Sequence, residues 1–289
     1  FLNENEAKEL IKDGEKFIKS QPDGNQIIHG GRIMIPWTSS KFNNLRKDSK
    51  YWKIFSNKFK RKAYEIFMKE LINLENKSYL TRSVINELKK TNLNNIEDFK
   101  FSTKLGSYTK KFQDILNLKI GSISPSKLFA VSIIRVLDTF WRILTSGRYF
   151  FMRKKPLLPL FDYSFSTNGY GREIHRDSNN RLVVILLYLN NLDTNTKGGD
   201  LEVYKLIKDK TFPPQPSSKN CKLQYKIQPR RGRLIMFINQ MNSYHGVSEM
   251  FNNKNGRHFL YGGYTYPSSI FINKKRFTKT KFPTEMYLY

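Results

Sequence analysis

The sequence predicts a mainly β protein with flanking helices. We expect a double-stranded β-helix core, that is, a jelly-roll or cupin-like barrel, and an α-helical N-terminal half. Three observations lead to this prediction. Four apolar segments with strand character follow one another between residues 181 and 266. Candidate metal-binding side chains stand just before the first of them and just after the third, as they would at the mouth of a barrel. The long helix-like patterns all lie before residue 150.

Residues 1–155 are expected to form a helical region that packs on the core. Residues 4–19 alternate charges with apolar positions, which is typical of an amphipathic helix and not of a signal peptide. Residues 56–77 and 126–147 also place apolar side chains at helical spacing, and the second has the broader apolar surface. No run of 18 apolar residues occurs, so we predict no membrane span.

Residues 156–270 are expected to form the barrel. The segment RLVVILLYL at 181–189 is nearly continuously apolar and rich in β-branched residues, which favours a buried strand. GGDLEVY at 198–204 predicts a second strand, entered through glycines that allow a sharp turn. GRLIMFI at 232–238 and RHFLYGGYTY at 257–266 predict the third and fourth strands.

The candidate site consists of a His-x-Asp pair, His175 and Asp177, and the distant His245. A His-x-Asp pair alone is a weak signal. Two imidazoles and one carboxylate, however, bind one face of an octahedral Fe(II) ion and leave the opposite face open for chemistry. Arg257 follows His245 by twelve residues, and its planar guanidinium is suited to holding an anionic cosubstrate. The pattern therefore indicates a metal-dependent oxygenase.

Taken together, these motifs resemble the catalytic core of the 2-oxoglutarate/Fe(II) oxygenases, and within them the prolyl-hydroxylase-like branch. The resemblance covers residues 161–266. It is carried by the order and spacing of NGYGREIHRD at 168–177, YLN at 188–190, GGDL at 198–201, GRLIMF at 232–237 and HGV at 245–247, with Arg257 downstream.

The resemblance implies roles for five residues. His175, Asp177 and His245 would ligate Fe(II), Arg257 would pair with the far carboxylate of the cosubstrate 2-oxoglutarate, and Tyr188 would hydrogen-bond the same carboxylate. Ascorbate is implied as an optional cofactor. The implied reaction is hydroxylation of an unactivated C–H bond of a peptidyl substrate, prolyl among them, or of a small molecule, with release of succinate and CO2.

Two departures from the family pattern are expected to alter the 2-oxoglutarate pocket. The gap between His245 and Arg257 is longer than usual, and we interpret NNKNG at 252–256 as an enlarged hairpin turn that absorbs the extra residues. Phe259 stands where the family often has a small hydroxyl residue. Lys254 is the competing cation for the carboxylate.

The net charge of +27 is the second prominent feature of the sequence. Such a field attracts nucleic acid, anionic lipid surfaces or acidic proteins. Yet the basic residues are spread along the chain, and the abundance of Lys, Asn, Ile and Phe also fits a compositional bias. The best local candidate for nucleic-acid contact is residues 274–281, within a basic C-terminal extension at 271–289. Two alternatives to the hydroxylase remain open: a nucleic-acid-directed oxygenase and a catalytically inactive jelly-roll binding protein.

Several smaller expectations concern the remaining residues. Cys221, the single cysteine, excludes an intrachain disulfide and fits the cytoplasm, where we expect the protein; we place it in a polar loop. The Pro-rich segment at 212–218 is expected to be a surface connection, with a border of the substrate entrance as the alternative. Tyr170 and Arg172 are candidate pocket walls. The chain opens on Phe1, which indicates a partial sequence. The substrate and the oligomeric state are left open.

Overall fold

A computed structural model describes residues 2–20, 26–28, 31–37, 39–76, 158–177, 181–208, 213–239, 242–265 and 286–288. The described elements are α1 (Glu4–Ser20), β1 (Gln26–Ile28), β2 (Arg32–Pro36), α2 (Ser40–Asp48), α3 (Lys50–Asn76), β3 (Leu158–Ser166), β4 (Arg172–His175), β5 (Arg181–Tyr188), β6 (Leu201–Leu206), a 3-10 turn (Ser218–Asn220), β7 (Cys221–Ile227), β8 (Leu234–Ile238), β9 (Tyr244–Val247), β10 (Arg257–Thr265) and β11 (Met286–Leu288).

The strands form two antiparallel sheets. Among the described residues, the larger has seven strands in the order β1-β2-β3-β10-β5-β8-β11, and the smaller has four in the order β4-β9-β6-β7. From β3 to β10, successive strands lie in alternate sheets, except that β6 and β7 are neighbours in the small sheet, as in a double-stranded β-helix. The predicted fold class is therefore confirmed.

The N-terminal helices cover the outer face of the large sheet. In β3, Phe161 and Tyr163 point to this face and enter an aromatic cluster with Trp52, whose ring lies 4.7 Å from that of Tyr163. Trp52 of α3 also donates its indole N–H to Leu10 O of α1 at 2.9 Å, which ties two helices together. The helices predicted at residues 4–19 and 56–77 are confirmed as α1 and α3, although α3 begins six residues earlier than predicted, at Lys50. The predicted helix at 126–147 lies outside the described residues.

The interior between the two sheets holds a second apolar cluster. Side chains of β5 alternate between the two faces of the large sheet, as the geometry of a strand requires. Val183, Ile185 and Leu187 belong to the helix-facing cluster. Val184, Leu186 and Tyr188 belong to the interior cluster, together with Leu201 and Val203 of β6. Because both of its faces are buried, β5 has the continuous apolar sequence that predicted it.

Glycines in the left-handed region fix where two of the predicted strands begin. Gly198 and Gly199 have φ angles of 74° and 78°, so β6 begins only at Leu201. Gly232 has a φ of 75°, and β8 likewise begins at Leu234. The strands at 198–204 and 232–238 are thus confirmed with later starts.

Two predictions about the connections are wrong. Residues 252–256 do not form a hairpin turn, because β9 lies in the small sheet whereas β10 pairs with β3 and β5 in the large one. The segment instead crosses between the sheets, and Asp193 Oδ2 holds it by accepting from the backbone N–H groups of Lys254 (2.6 Å) and Asn255 (3.2 Å). Cys221 does not lie in a loop, since it opens the edge strand β7 and pairs with Leu206.

The large sheet also contains strands from outside the predicted barrel segment. β2 pairs with β3 along five residues, so the N-terminal region contributes strands as well as helices. The predicted boundaries at 155/156 and 270/271 fall outside the described residues and stay predictions. Of the C-terminal extension at 271–289, the described part is β11, which pairs with β8. None of the described helices has the length and apolarity needed to cross a membrane.

Gly198→Ala is expected to lower the free energy of unfolding by about 2–4 kcal/mol. A Cβ at this position would lie 1.9 Å from the backbone oxygen of Glu249, in addition to the strain of a φ of +74°. Gly169→Ala is the matched control, because its φ is +81° but nothing lies within 4 Å of the added Cβ. Urea unfolding of both variants measures the difference. Equal losses would show that the contact with Glu249 has no cost of its own.

Candidate metal centre

The structure brings His175, Asp177 and His245 together. β4 pairs with β9 so that His175 and His245 lie directly opposite one another, and their ring centroids are 4.5 Å apart. Asp177 follows β4 by two residues, and its Oδ1 lies 3.9 Å from His175 Nε2. One ligand atom from each of the three residues lies within 4.8 Å of the other two. Among the described residues this is the one such group of three His, Cys, Asp or Glu side chains.

Backbone carbonyls orient both imidazoles. His175 Nδ1 lies 2.8 Å from Glu173 O, and His245 Nδ1 lies 3.1 Å from Ser243 O. Because a carbonyl oxygen can only accept, each Nδ1 carries the proton and each Nε2 keeps a lone pair for a metal. Burial, reinforced by the neighbouring His245, lowers the pKa of His175 to about 4, so this imidazole is neutral near pH 7.

Two side chains hold the Asp177 carboxylate. Arg181 Nη1 donates to Oδ2 at 3.1 Å, and the Tyr261 hydroxyl lies 2.6 Å from both carboxylate oxygens. Burial by itself would raise the pKa of Asp177, but the positive charge of Arg181 holds it well below its usual range. Burial and the charge of Asp177 raise the pKa of Tyr261 well above its usual value, so the phenol stays protonated and donates.

The three donors fit a divalent iron ion. His245 Nε2 is buried and has no hydrogen-bond partner in the described part of the chain. A buried polar atom without a partner costs free energy, and a metal ion would satisfy it. Two imidazoles and one carboxylate are also the donor set of open Fe(II) sites.

Arg257 is a buried cation that lacks an anion. It is 1% exposed, and its Nη2 donates to the Tyr188 hydroxyl at 3.0 Å. Its Nε and Nη1 are buried without hydrogen-bond partners, and it forms no ion pair with any carboxylate of the described ranges. The guanidinium instead lies 4.5 Å from the ring centroid of Phe259 and 5.8 Å from that of Tyr170. Such a group is stabilised by a carboxylate ligand that accepts from its unpartnered N–H groups.

The metal ligands and Arg257 lie around the same apolar cluster between the two sheets. Phe237 packs against His245 at 5.1 Å and belongs to the same buried cluster as Tyr188 and Phe259. Lys254, the competing cation, is exposed on the crossing segment. Arg257, and not Lys254, therefore lies in the barrel interior.

Another strand supplies a hydroxyl group beside Arg257. Phe259 occupies the position on β10 where the family often has a small hydroxyl residue. Ser166 of β3 is directly opposite Arg257 of β10 in the register of the large sheet. Its hydroxyl is buried and has no hydrogen-bond partner in the part of the chain described here. Cross-strand neighbours such as these have Cβ atoms about 5 Å apart on the same face. Sequence reasoning along β10 alone could not find this residue.

The Pro-rich segment lies against the strands that carry the ligands. Pro214 O accepts the backbone N–H of Arg176, which stands between His175 and Asp177, at 3.0 Å. Pro213 O accepts the hydroxyl of Tyr244 at 2.9 Å. These contacts favour the alternative that the segment borders the entrance. Of the two candidate pocket walls, Tyr170 is buried near Arg257, and Arg172 is half-buried on β4.

A polar network behind the metal ligands was missed by the sequence reasoning. Arg32 of β2 forms a buried ion pair with Asp162 at 2.8 Å and donates to the Ser164 hydroxyl at 2.8 and 3.0 Å. The guanidinium groups of Arg32 and Arg181 lie 5.1 and 4.9 Å from the ring centroid of Tyr261. One signal was available: polar residues alternate with aromatic ones in β3, which predicts a polar inner face there.

His258 has a structural role. Its Nδ1 lies 2.9 Å from the Tyr163 hydroxyl, on the helix-facing side of β10, and its ring lies 4.7 Å from that of Phe165. Burial lowers the pKa of His258 to about 4. It is not part of the group formed by the other histidines, His175 and His245.

Comparison with known proteins agrees with this geometry. Residues 161–263 match the family model described as the 2OG-Fe(II) oxygenase superfamily. A search of curated proteins gave no match.

Several solved structures are similar to the chain. A prolyl hydroxylase from Trichoplax adhaerens, in complex with a hypoxia inducible factor oxygen degradation domain peptide fragment, is 20% identical over 48% of this chain and 60% of that chain, with a TM-score of 0.29. A Pseudomonas putida prolyl-4-hydroxylase is 16% identical over 52% of this chain and 66% of that chain, with a TM-score of 0.27. IDO from Bacillus thuringiensis is 14% identical over 70% of this chain and 96% of that chain, with a TM-score of 0.30.

The chain thus spans 60% and 66% of the lengths of the two prolyl hydroxylases. The matched segment runs from β3 to β10 and contains the His-Asp-His group and Arg257. Over residues 161–263, the chain is therefore similar to the 2OG-Fe(II) oxygenase superfamily.

Proposed function

We propose that the protein is a hydroxylase that couples the oxidation of 2-oxoglutarate to the hydroxylation of an unactivated C–H bond. One observation carries the proposal. A His-Asp-His group with a buried, unpartnered Nε2 shares the barrel interior with a buried guanidinium that has no anionic partner. The first feature fits a metal ion and the second fits a dicarboxylate.

In this proposal His175, Asp177 and His245 hold Fe(II), and Arg257 and Tyr188 hold the far carboxylate of 2-oxoglutarate. Ser166 is a further donor for that carboxylate, because its free hydroxyl lies opposite Arg257. When bound, iron and 2-oxoglutarate supply the oxidising chemistry. The residues of the chain bind and orient these groups and exclude water from them.

The overall reaction is balanced without an external reductant. 2-Oxoglutarate, dioxygen and a C–H substrate give succinate, CO2 and the hydroxylated product, with one oxygen atom ending in succinate and the other in the new hydroxyl group. No side chain of the site is needed as a general base. Ascorbate belongs to the proposal only as an optional reductant that keeps the iron ferrous.

The proposed substrate is a peptidyl side chain, with proline included, or a small molecule. Its support is the motif set that resembles the prolyl-hydroxylase-like branch, from residues 168–177 to Arg257. The Pro-rich segment, which contacts Arg176 and Tyr244, is the proposed border of the entrance. We propose the cytoplasm as the location, since the single Cys221 fits a reducing compartment.

A nucleic-acid substrate is the second candidate, and the net charge of +27 favours it. Binding that neutralises several phosphates weakens steeply as salt is raised. A titration of a single-stranded oligonucleotide between about 50 and 200 mM salt therefore tests it. Tight binding with a steep salt slope would favour this candidate over a peptidyl or small-molecule substrate.

The proposed reaction is tested by succinate formation. We expect wild-type protein, purified anaerobically and then given Fe(II), 2-oxoglutarate and air, to form succinate slowly without its main substrate. His175→Ala is the control, because it keeps Arg257 but removes one of the three donors. Succinate from the wild type alone supports the proposal. Equal succinate from both proteins, or a wild type that forms none and binds no Fe(II), contradicts it.

A further inference from the structure

We propose that Tyr261 is a positioning residue for the metal ligand Asp177. Its hydroxyl and the guanidinium of Arg181 both donate to the carboxylate and fix its orientation beside the two histidines. The inference rests on the proposed function, because it concerns how this chain prepares the same metal site.

The two oxygens of the Asp177 carboxylate have different surroundings. Oδ1 is the oxygen that lies 3.9 Å from His175 Nε2, whereas Oδ2 accepts from Arg181 at 3.1 Å. The Tyr261 hydroxyl lies 2.6 Å from each of them. Oδ2 is therefore the oxygen that can accept from both Arg181 and Tyr261, and Oδ1, on the side of His175, would be the oxygen that holds a metal ion.

Tyr261 is itself held in place by charge. The guanidinium groups of Arg32 and Arg181 lie 5.1 and 4.9 Å from its ring centroid. Cations at this distance are attracted to the π system of the ring. Arg32 is fixed in turn by its buried ion pair with Asp162 at 2.8 Å and by the Ser164 hydroxyl. The phenol therefore has little freedom to leave the carboxylate.

The network reaches beyond the segment that the family model matches. Arg32 lies on β2, and the match begins at residue 161. β2 is held beside β3 by a register in which Arg32 pairs with Ser166. The N-terminal strand thus supports the metal site through Tyr261, in addition to extending the sheet.

Fixing the carboxylate before the metal arrives lowers the ordering cost of binding, which is the general effect of preorganisation. Outer-shell partners of metal ligands typically change metal affinity by about 10–100-fold when they are removed. If Tyr261 only packed against its neighbours, its ring would be sufficient, and removal of the hydroxyl would not change the metal affinity. The hydroxyl and the ring can therefore be tested separately.

The test is Tyr261→Phe, which keeps the ring between the two arginines and removes only the donor. With the full chain and with Co(II) alone as the probe, we expect the affinity to fall by about 10–100-fold. The visible Co(II) spectrum should also change, because the carboxylate is no longer restricted to one oxygen. The melting temperature of the metal-free protein serves as a check on folding.

Tyr204→Phe is the matched control. The Tyr204 hydroxyl also donates to a carboxylate, Glu202 Oε2 at 2.5 Å, but Glu202 is not part of the metal group. We expect its Co(II) affinity and spectrum to equal those of the wild type. Wild-type affinity and spectrum in Tyr261→Phe would overturn the inference and leave the proposed function standing, as would an equal loss in both variants. A wild type that does not bind Co(II) or Fe(II) would overturn both.

Arg32→Lys tests the contribution of β2. Lysine keeps a positive charge near Asp162 but lacks the planar group that lies against the Tyr261 ring. We expect a smaller loss of Co(II) affinity than in Tyr261→Phe, with a spectral change in the same direction. An unchanged spectrum and affinity would show that Tyr261 is positioned without Arg32.

Discussion

His245→Phe is expected to abolish Fe(II) binding while the metal-free protein keeps its stability to within about 1 kcal/mol. The substitution removes one of three donors, so the loss of affinity should exceed the roughly 10–100-fold effect of an outer-shell change. The metal-free protein loses little, because His245 Nε2 is buried without a partner among the described residues and only the Nδ1 contact with Ser243 O at 3.1 Å is lost. An apolar ring of similar shape removes that unsatisfied atom and still packs against Phe237.

His258→Phe is the matched control, because it makes the same change at another buried histidine. His258 Nδ1 and the Tyr163 hydroxyl share one buried hydrogen bond. The substitution would therefore leave the Tyr163 hydroxyl without this partner. We expect a destabilisation of about 1–3 kcal/mol and unchanged Fe(II) binding by the folded protein. Calorimetric metal titration and thermal unfolding of both variants give the comparison. Retained Fe(II) binding in His245→Phe would exclude His245 as a ligand.

Arg257→Met is expected to raise the KM for 2-oxoglutarate by about 100-fold or more. Each charge-assisted hydrogen bond to a carboxylate contributes about 1.5–3 kcal/mol, and two such donors are free in the pocket. Because the contact is made with the far end of the cosubstrate, kcat should change much less than KM. Fe(II) affinity in the absence of 2-oxoglutarate should not change. Succinate formation across a series of 2-oxoglutarate concentrations measures these parameters.

Lys254→Met is the control for Arg257→Met, since it removes a cation that lies three residues earlier but is exposed on the crossing segment. Its KM should equal that of the wild type. A rise in KM in Lys254→Met, with no rise in Arg257→Met, would reverse the assignment of the carboxylate-binding residue.

Much of the barrel could be predicted because its strands carry local signals. β5 is apolar along its whole length since both of its faces are buried, against the helices on one side and in the interior on the other. The helices α1 and α3 could be predicted because their apolar residues occur at helical spacing. β2, β4 and β9 have only four or five residues each, too few for a pattern to stand out.

The site was predictable for a similar reason. The proposed site consists of residue types with distinctive chemistry: His175, Asp177, His245 and Arg257. The motifs that contain them follow one another in the order of the family that the sequence resembles. The network around Asp177 had no such signal. Tyr261 is one of several aromatic residues in β10, and Arg32 lies more than a hundred residues before its partner Asp162. Ser166 was missed because its neighbour Arg257 lies on another strand.

The sequence by itself determined the strand periodicity and the helix faces, because each depends on residues close together in the chain. It also identified the proposed metal ligands, through the order and spacing of the motifs that contain them. Tertiary structure alone decided which side chains meet. It set His175 opposite His245, left Arg257 without an anion beside Ser166, and placed Tyr261 on the carboxylate of Asp177. The physical reason is that cross-strand neighbours depend on the register between segments far apart in sequence, which no local pattern encodes.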